Sequence, residues 1–495
     1  MKSMIGAALL VCCGAGRAAV LPWASPGGPP ATVSPSPSVS WSPPPGAAPP
    51  RSPSSPPQIP DDLRAHAASL TLTEVVDVAL RNSPQTREAW WRARAAAADV
   101  DLRRASLAPE LDVQAEALST RQALTSGDGG VTYTTLGPAA TLNYLLFDFG
   151  GRQADVESAR QALFAADFLH NQAIQDVVLQ VERIYYQYQG TKALLEAEQT
   201  SLKEARTNYE AADERRRAGV ATVTDVLQTR TALAQSELNV ESLDGQLQAV
   251  RGGLAATMGL PANLPYDVAP LPAEIAPRQT SEAVEALIDR ALAGRPDVES
   301  ARAQALAAAS DVARDRADLL PKVSFQGSFG RPWYGGAFTS PGVVYSGALL
   351  LNFPLFDGGG RAARVRQSQA DLEAARSHVA DLEQQATVQV WTDYAAVRTA
   401  AQRIETSRTL LQSAVESEQA TSERYRAGVG SILDLLTAQS TLASARAQEV
   451  QARADWLQSL AQLAHDTGTL GPVPAAGAPS SNASSGAPSI GRGQP

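Results

Sequence analysis

Cysteine is almost missing from this 495-residue chain: the only two, Cys12 and Cys13, stand near its start. The rest offers no disulfide framework, no thiolate metal ligand and no thiol nucleophile. Histidine is nearly as scarce. His66, His170, His378 and His465 stand singly, without the H-E-x-x-H spacing that sets two imidazoles on one helix face for zinc, and read as ordinary surface or packing residues. No metal and no cofactor is indicated. No serine lies in a G-x-S-x-G elbow with a histidine partner, so no catalytic constellation is present and the chain does not read as an enzyme. Basic residues are outnumbered, 42 against 51 acidic, which argues against binding nucleic acid. Past the leader no stretch approaches the ~20 apolar residues of a membrane-spanning helix. A hydrophobic share of 44% still excludes a mainly disordered chain.

Residues 1–19 carry one lysine, a short apolar run and then small residues, the pattern of an export signal. Leu10-Val11-Cys12-Cys13 resembles a lipoprotein box, with Cys12 where Gly, Ala or Ser is usual. Acylation at Cys13 and simple cleavage nearby both stay open. Residues 20–65 are dominated by Pro, Ser, Gly and Ala and form a spacer, and 471–495 form a disordered tail of the same character.

What lies between is a duplication. Leu146-Phe147-Asp148-Phe149-Gly150-Gly151-Arg152 recurs 209 residues later as Leu355-Phe356-Asp357-Gly358-Gly359-Gly360-Arg361. Glu214-Arg215-Arg216-Arg217-Ala218-Gly219-Val220 recurs as Glu423-Arg424-Tyr425-Arg426-Ala427-Gly428-Val429 at the same offset. Earlier in each half the offset is 212, since Asn82-Ser83-Pro84 faces Gly294-Arg295-Pro296 and Pro109 faces Pro321. The repeats span 66–260 and 281–470, joined by a linker over 261–280.

Periodicity changes in the same order within each. Residues 73–107 and 281–320 are Ala-rich and predict a helix ending at a proline. Alternating patterns then predict a β-hairpin, about 111–147 around Ser126-Gly127-Asp128-Gly129-Gly130, and about 323–353 around a loop holding Trp333, Tyr334 and Phe338. Residues 361–426 contain neither Gly nor Pro, and 152–217 only Gly190, so each predicts one helix of ~100 Å. Shorter helices return over 222–258 and 431–466. Leu243, Leu247, Val250 and Leu254 give the first a coiled-coil seam.

Four strands cannot close a barrel. Strand edges bare in lipid would cost several kcal/mol per unpaired group, so several copies must share one barrel, and three copies give twelve strands. The alternative of another class is a non-pore periplasmic coiled-coil adaptor or spacer, which would not need hairpins at matched positions. The glycine joint could cradle phosphate, but it lacks the Gly-Lys-Ser/Thr of a P-loop and reads as a backbone turn.

The duplication, the L-F-D-x-G-G-R joint and the run Tyr425-Arg426-Ala427-Gly428-Val429-Gly430-Ser431-Ile432-Leu433-Asp434-Leu435-Leu436-Thr437-Ala438-Gln439 resemble the TolC-like and OprM-like outer-membrane efflux proteins. The resemblance covers nearly all of residues 70–470. It implies a mainly α chain with a membrane β-barrel part: a homotrimer whose twelve-stranded barrel sits in outer-membrane lipid above a twelve-helix periplasmic tunnel. A periplasmic adaptor and an inner-membrane pump would pass substrates into it. The same duct could instead serve type I protein secretion. The resemblance also implies site residues. Gly219, Val220, Gly428 and Val429 match the turns that dock the adaptor; Thr224, Asp225 and Tyr425 match positions linking neighbouring helices at the closed tip; Asp434 matches an Asp ring. Gly430 and Thr437 depart from the pattern, standing where some members have Arg and a second Asp. A local account also fits Asp225 and Asp434, since carboxylates favour a helix N-terminus by ~0.3–1 kcal/mol. The basic residues Arg215, Arg216, Arg217, Arg424 and Arg426 suit a solvated helix C-terminus.

Overall fold

The computed structural model describes residues 67–123, 130–270, 283–336 and 342–470. The leader with Cys13, His66, the 20–65 spacer, most of the first hairpin's turn, Phe338, the 271–280 stretch of the linker and the tail lie outside them. The first repeat runs α1 (Leu72–Asn82), α2 (Pro84–Ala105), β1 (Glu110–Ala123), β2 (Gly130–Phe147), α3 (Gly151–Arg217) and α4 (Val223–Thr257). The second runs α5 (Val284–Gly294), α6 (Pro296–Ala317), β3 (Lys322–Gly330), β4 (Trp333–Gly336), β5 (Val344–Asn352), α7 (Gly360–Arg426) and α8 (Ile432–Asp466).

The single helix expected at the head of each repeat is two helices. A proline ring pushes the preceding residue out of the α region, and Ser83 and Arg295 accordingly take ψ of 122° and 125°. Proline is well placed at the first position of a new helix, where its missing N–H has no intrahelical acceptor anyway. Ser83 Oγ then caps α2 by accepting the Thr86 N–H at 3.3 Å.

All five strands form one antiparallel sheet in the order β1-β2-β3-β5. The second hairpin holds one strand more than expected: β2 has 18 residues against nine in β3, and β4 pairs with its excess length. Gly137 of β2 lies against the turn from β3 to β4. A side chain there would meet the Arg331 carbonyl oxygen at 2.6 Å. Facing residues put their side chains on one side of a sheet, and the registers collect Leu111, Val113, Leu142, Tyr144, Val323, Phe325, Leu349 and Leu351 on one face. Asp112, Gln114, Thr141, Asn143, Gln326, Ser328 and Ser346 take the other. Leu111, Val113, Leu349 and Leu351 are 69–78% exposed. A soluble protein would leave such a face uncovered, but lipid covers it.

Each long helix has 67 residues, so ~100 Å of length. α3 runs unbroken through Gly190, and the bare Cα there lets the Ala454 side chain of α8 approach closely. Val178, Val181 and Tyr185 of α3 bury against Val75 and Val78 of α1, Leu254 of α4 and Met258 at its C-terminal end, with Leu247 and Val250 of the seam packed alongside. Beyond its own repeat, α3 packs on α6 and α8. Among the described residues no helix is long and apolar enough to cross a membrane.

One histidine departs from the expectation of ordinary packing. His465, near the end of α8, bonds Asp466 through Nδ1 at 2.7 Å and Asp176 of α3 through Nε2 at 2.9 Å. Arg295 approaches Asp466 at 4.0 Å, and Asp393 of α7 joins the group. Burial alone works against the imidazolium, but the bonds and charges of Asp176 and Asp466 outweigh it and hold His465 up at about 9. Burial, then the hydrogen bond and charge of Asp466, push Asp393 up to about 8. Burial also disfavours the Asp466 carboxylate, yet its bonds to His465, Asp393 and Gln462 hold it below the usual range.

Candidate functional site: glycine joints and helical tip

Two backbone devices punctuate each long helix. At its start, Gly150 and Gly359 both take φ of +86°, the left-handed region open to glycine, and turn the chain from strand to helix. The motif aspartate then reaches over the turn: Asp148 Oδ2 accepts the Arg152 N–H at 2.8 Å, and Asp357 Oδ2 accepts that of Arg361 at 2.9 Å. The motif arginine closes the joint. Arg152 donates to the Ser106 carbonyl at 2.9 Å and Arg361 to that of Asp318 at 3.1 Å, tying the long helix to the end of α2 or α6. Every polar letter of the repeated motif therefore has a structural task.

At the far end, Gly219 (φ +78°) and Gly428 (φ +75°) terminate α3 and α7 in matching Schellman turns. Val220 N–H bonds the Arg215 carbonyl at 2.9 Å and Val429 N–H that of Arg424 at 3.0 Å. Two residues on, Thr222 and Ser431 open α4 and α8 with capping boxes. Thr222 Oγ1 accepts the Asp225 N–H at 3.2 Å while Asp225 Oδ2 accepts the Thr222 N–H at 2.9 Å; Ser431 and Asp434 do the same at 3.1 and 3.4 Å. The turns are therefore rigid, and they present Val220 and Val429 at 75% and 70% exposure. Val223, Leu227 and Leu433 are exposed beside them.

The residues singled out in the sequence fall into this frame unequally. Asp225 and Asp434 cap their helices. Tyr425 lies under the guanidinium of Arg215, 4.4 Å from its ring centroid, so α3 and α7 are tied together just above the tip. Thr224 is exposed and makes no side-chain hydrogen bond among the described residues. Gly430 has a packing reason: a side chain would meet the Tyr425 nitrogen at 3.1 Å. Of the basic residues, Arg216 and Arg217 pair with Asp213, and Arg426 with Glu423. The caps Thr222 and Ser431 were missed, although Thr/Ser-x-x-Asp before an apolar run signals them. Arg215 over Tyr425 has no sequence signal, because the two meet only in three dimensions.

A duplicated chain with an amphipathic sheet above paired helices of ~100 Å defines a class: outer-membrane ducts with a long periplasmic extension. The chain belongs to the outer membrane efflux protein family, whose model matches residues 75–260 and 287–469. It is 30% identical over 385 residues to protein CyaE of Bordetella pertussis, covering 77% of this chain and 80% of that one. To the alkaline protease secretion protein AprF of Pseudomonas aeruginosa it is 29% identical over 424 residues, 82% and 86% of the two chains. The solved outer-membrane channel OprN shares the fold at a TM-score of 0.73 and 23% identity, over 80% of this chain and 90% of that one. The protein is accordingly an outer-membrane channel and not an enzyme. As in the rest of the family, it acts as a trimer with a periplasmic adaptor and an inner-membrane pump.

Proposed function

We propose that the tip turns of three copies close the periplasmic mouth of an efflux duct, that Asp434 lines its bore, and that Gly219-Val220 and Gly428-Val429 receive the adaptor. The observation that carries this is the construction of the two turns. Both are fixed by glycine and a capping box, and both hold an apolar valine out to solvent, which suits repeated docking by an apolar helical hairpin. Thr224, Asp225 and Tyr425 hold the resting tip, with the Arg215 stack as the tie inside each copy. Three Asp434 carboxylates around a narrow bore repel one another and attract cations.

Asp434→Asn separates the pore role from the cap, since the amide oxygen still accepts the Ser431 N–H. In planar bilayers the variant is expected to lose cation selectivity severalfold while the trimer survives; unchanged selectivity sinks the ring. Val429→Asp in the same preparation should leave conductance intact and abolish adaptor capture.

The similarity to a protease secretion protein favours a second reading, a duct for polypeptides. Export of an unfolded reporter polypeptide, rather than of small dyes, by cells carrying this chain decides for it.

A further inference from the structure

Helical spacing gathers Arg87, Trp90 and Arg94 on one face of α2. The Arg94 guanidinium lies 5.0 Å from the Trp90 ring centroid and 5.4 Å from that of Trp91, and the two indoles meet edge-to-face at 4.6 Å. Trp90 is thus held in place while 41% of it stays exposed. The acids nearby are already engaged, Glu88 by Arg92 and Asp101 by Arg104. Among the described residues neither Arg87 nor Arg94 makes an ion pair.

The second repeat builds the same helix without this face. At the offset of 212, Arg87, Trp90 and Arg94 become Glu299, Arg302 and Leu306. There Arg302 meets Glu299 at 2.7 Å and Glu383 at 2.6 Å, so its charge is answered within the chain. The repeat also fixes where the face looks. α6 has long helices on two sides, α3 and α7, yet Leu306 remains 56% exposed. The matching place on α2, held by Arg94, therefore stays open in the trimer. Arg302, the counterpart of Trp90, donates to the Leu292 carbonyl of α5, which puts the face on the α5 side of the helical wall. α1 and α5 pack on the long helices through buried apolar side chains, and three copies of both inside the tunnel would block it. The face accordingly lies outside. Along α2 it stands about 24 Å from Ser106 at the joint, away from the headgroup level where interfacial aromatics sit.

We infer that this face binds the peptidoglycan mesh through which the periplasmic extension passes. The partner follows from the chemistry of the three side chains. A fixed, exposed indole offers a flat apolar surface to the C–H face of a pyranose ring. Guanidinium groups about 10 Å apart along the helix, one on either side of it, match carboxylates in a forked geometry. A glycan strand of amino sugars whose peptide stems end in carboxylates supplies both partners. Trp90 stacks on a sugar, and Arg87 and Arg94 pair with stem carboxylates. Each contact is small, but three copies of the face on one trimer and a repeating polymer multiply it.

Co-sedimentation of the purified trimer with isolated peptidoglycan sacculi tests the assignment. The wild type is expected to pellet with sacculi and to be released by soluble fragments of them. Trp90→Ala is expected to weaken binding roughly tenfold, and Trp90→Phe to restore most of it. Arg94→Leu installs the residue that the second repeat carries at this place, so the fold accepts it, and it is expected to weaken binding by a similar factor. All three variants should keep wild-type conductance in planar bilayers, which checks the channel separately. A wild type left in the supernatant, or Trp90→Ala and Arg94→Leu pelleting as the wild type does, would overturn the assignment and leave the channel reading standing. Loss of adaptor capture by Trp90→Ala with sacculus binding unchanged would give the face to the adaptor and overturn it as well.

Discussion

Gly359 shows how one residue serves a membrane duct. Its φ of +86° lies in the left-handed region, yet a side chain there would touch nothing within 4 Å. Substitution therefore costs only backbone strain, about 1–2 kcal/mol for an L residue with a β-carbon. Gly359→Ala is expected to lower the melting temperature of the detergent-solubilised protein, and Gly359→Asn to lower it less, because asparagine tolerates this region better. Equal loss from both would mean that some contact, not the dihedral, sets the requirement. Gly137 is the contrasting case, where backbone atoms already occupy the space of a side chain. The sequence pointed to the joint and tip glycines because their turns recur at a fixed offset. It was silent on Arg215 over Tyr425, whose partners are 210 positions apart and share no local pattern.

The long helices were legible because continuous helix needs only the absence of Gly and Pro together with good formers, and residues 361–426 satisfy both. The breaks before Pro84 and Pro296 were carried by the same letters but outvoted by alanine, although the backbone clash ahead of proline is local and decisive. The ion cluster joining α3, α7 and α8 with Arg295 was not legible, for its members come from four distant segments. It nonetheless sets a pH dependence. Asp393 is raised from 3.8 to about 8, so its contribution to stability is full at low pH and is lost as pH rises through that interval. His465, raised from 6.5 to about 9, acts in the same direction at higher pH. Asp466 is lowered, and its contribution is lost only in acid, below the usual carboxylate range. Thermal stability is expected to fall between pH 5 and pH 9. Asp393→Asn keeps a hydrogen-bonding group but not the titration, so melting curves across that range should flatten below pH 8. A variant as pH-sensitive as the parent would place the effect elsewhere.

Assembly turns the amphipathic sheet into a barrel, and the duplication fixes how its edges meet. Strands of nine residues, as in β3 and β5, suffice to cross a tilted barrel wall. Within the chain Asn143 faces Gln326 and Leu142 faces Gly327. Moved by the repeat offsets, the first pair becomes Asn352 facing Gln114 of the next copy, and the second Leu351 facing Ala115. The transfer was free to fail: a register slipped by one residue would set the apolar face of β5 against the polar face of β1. Instead Leu351 meets Ala115 and Asn352 meets Gln114, so like continues like around the ring. Asn352→Cys combined with Gln114→Cys is expected to cross-link between copies in the outer membrane, whereas Asn352→Cys with Val113→Cys, one position out of register, should not. Efficient linking in the second combination alone would show that the barrel closes with a slipped register.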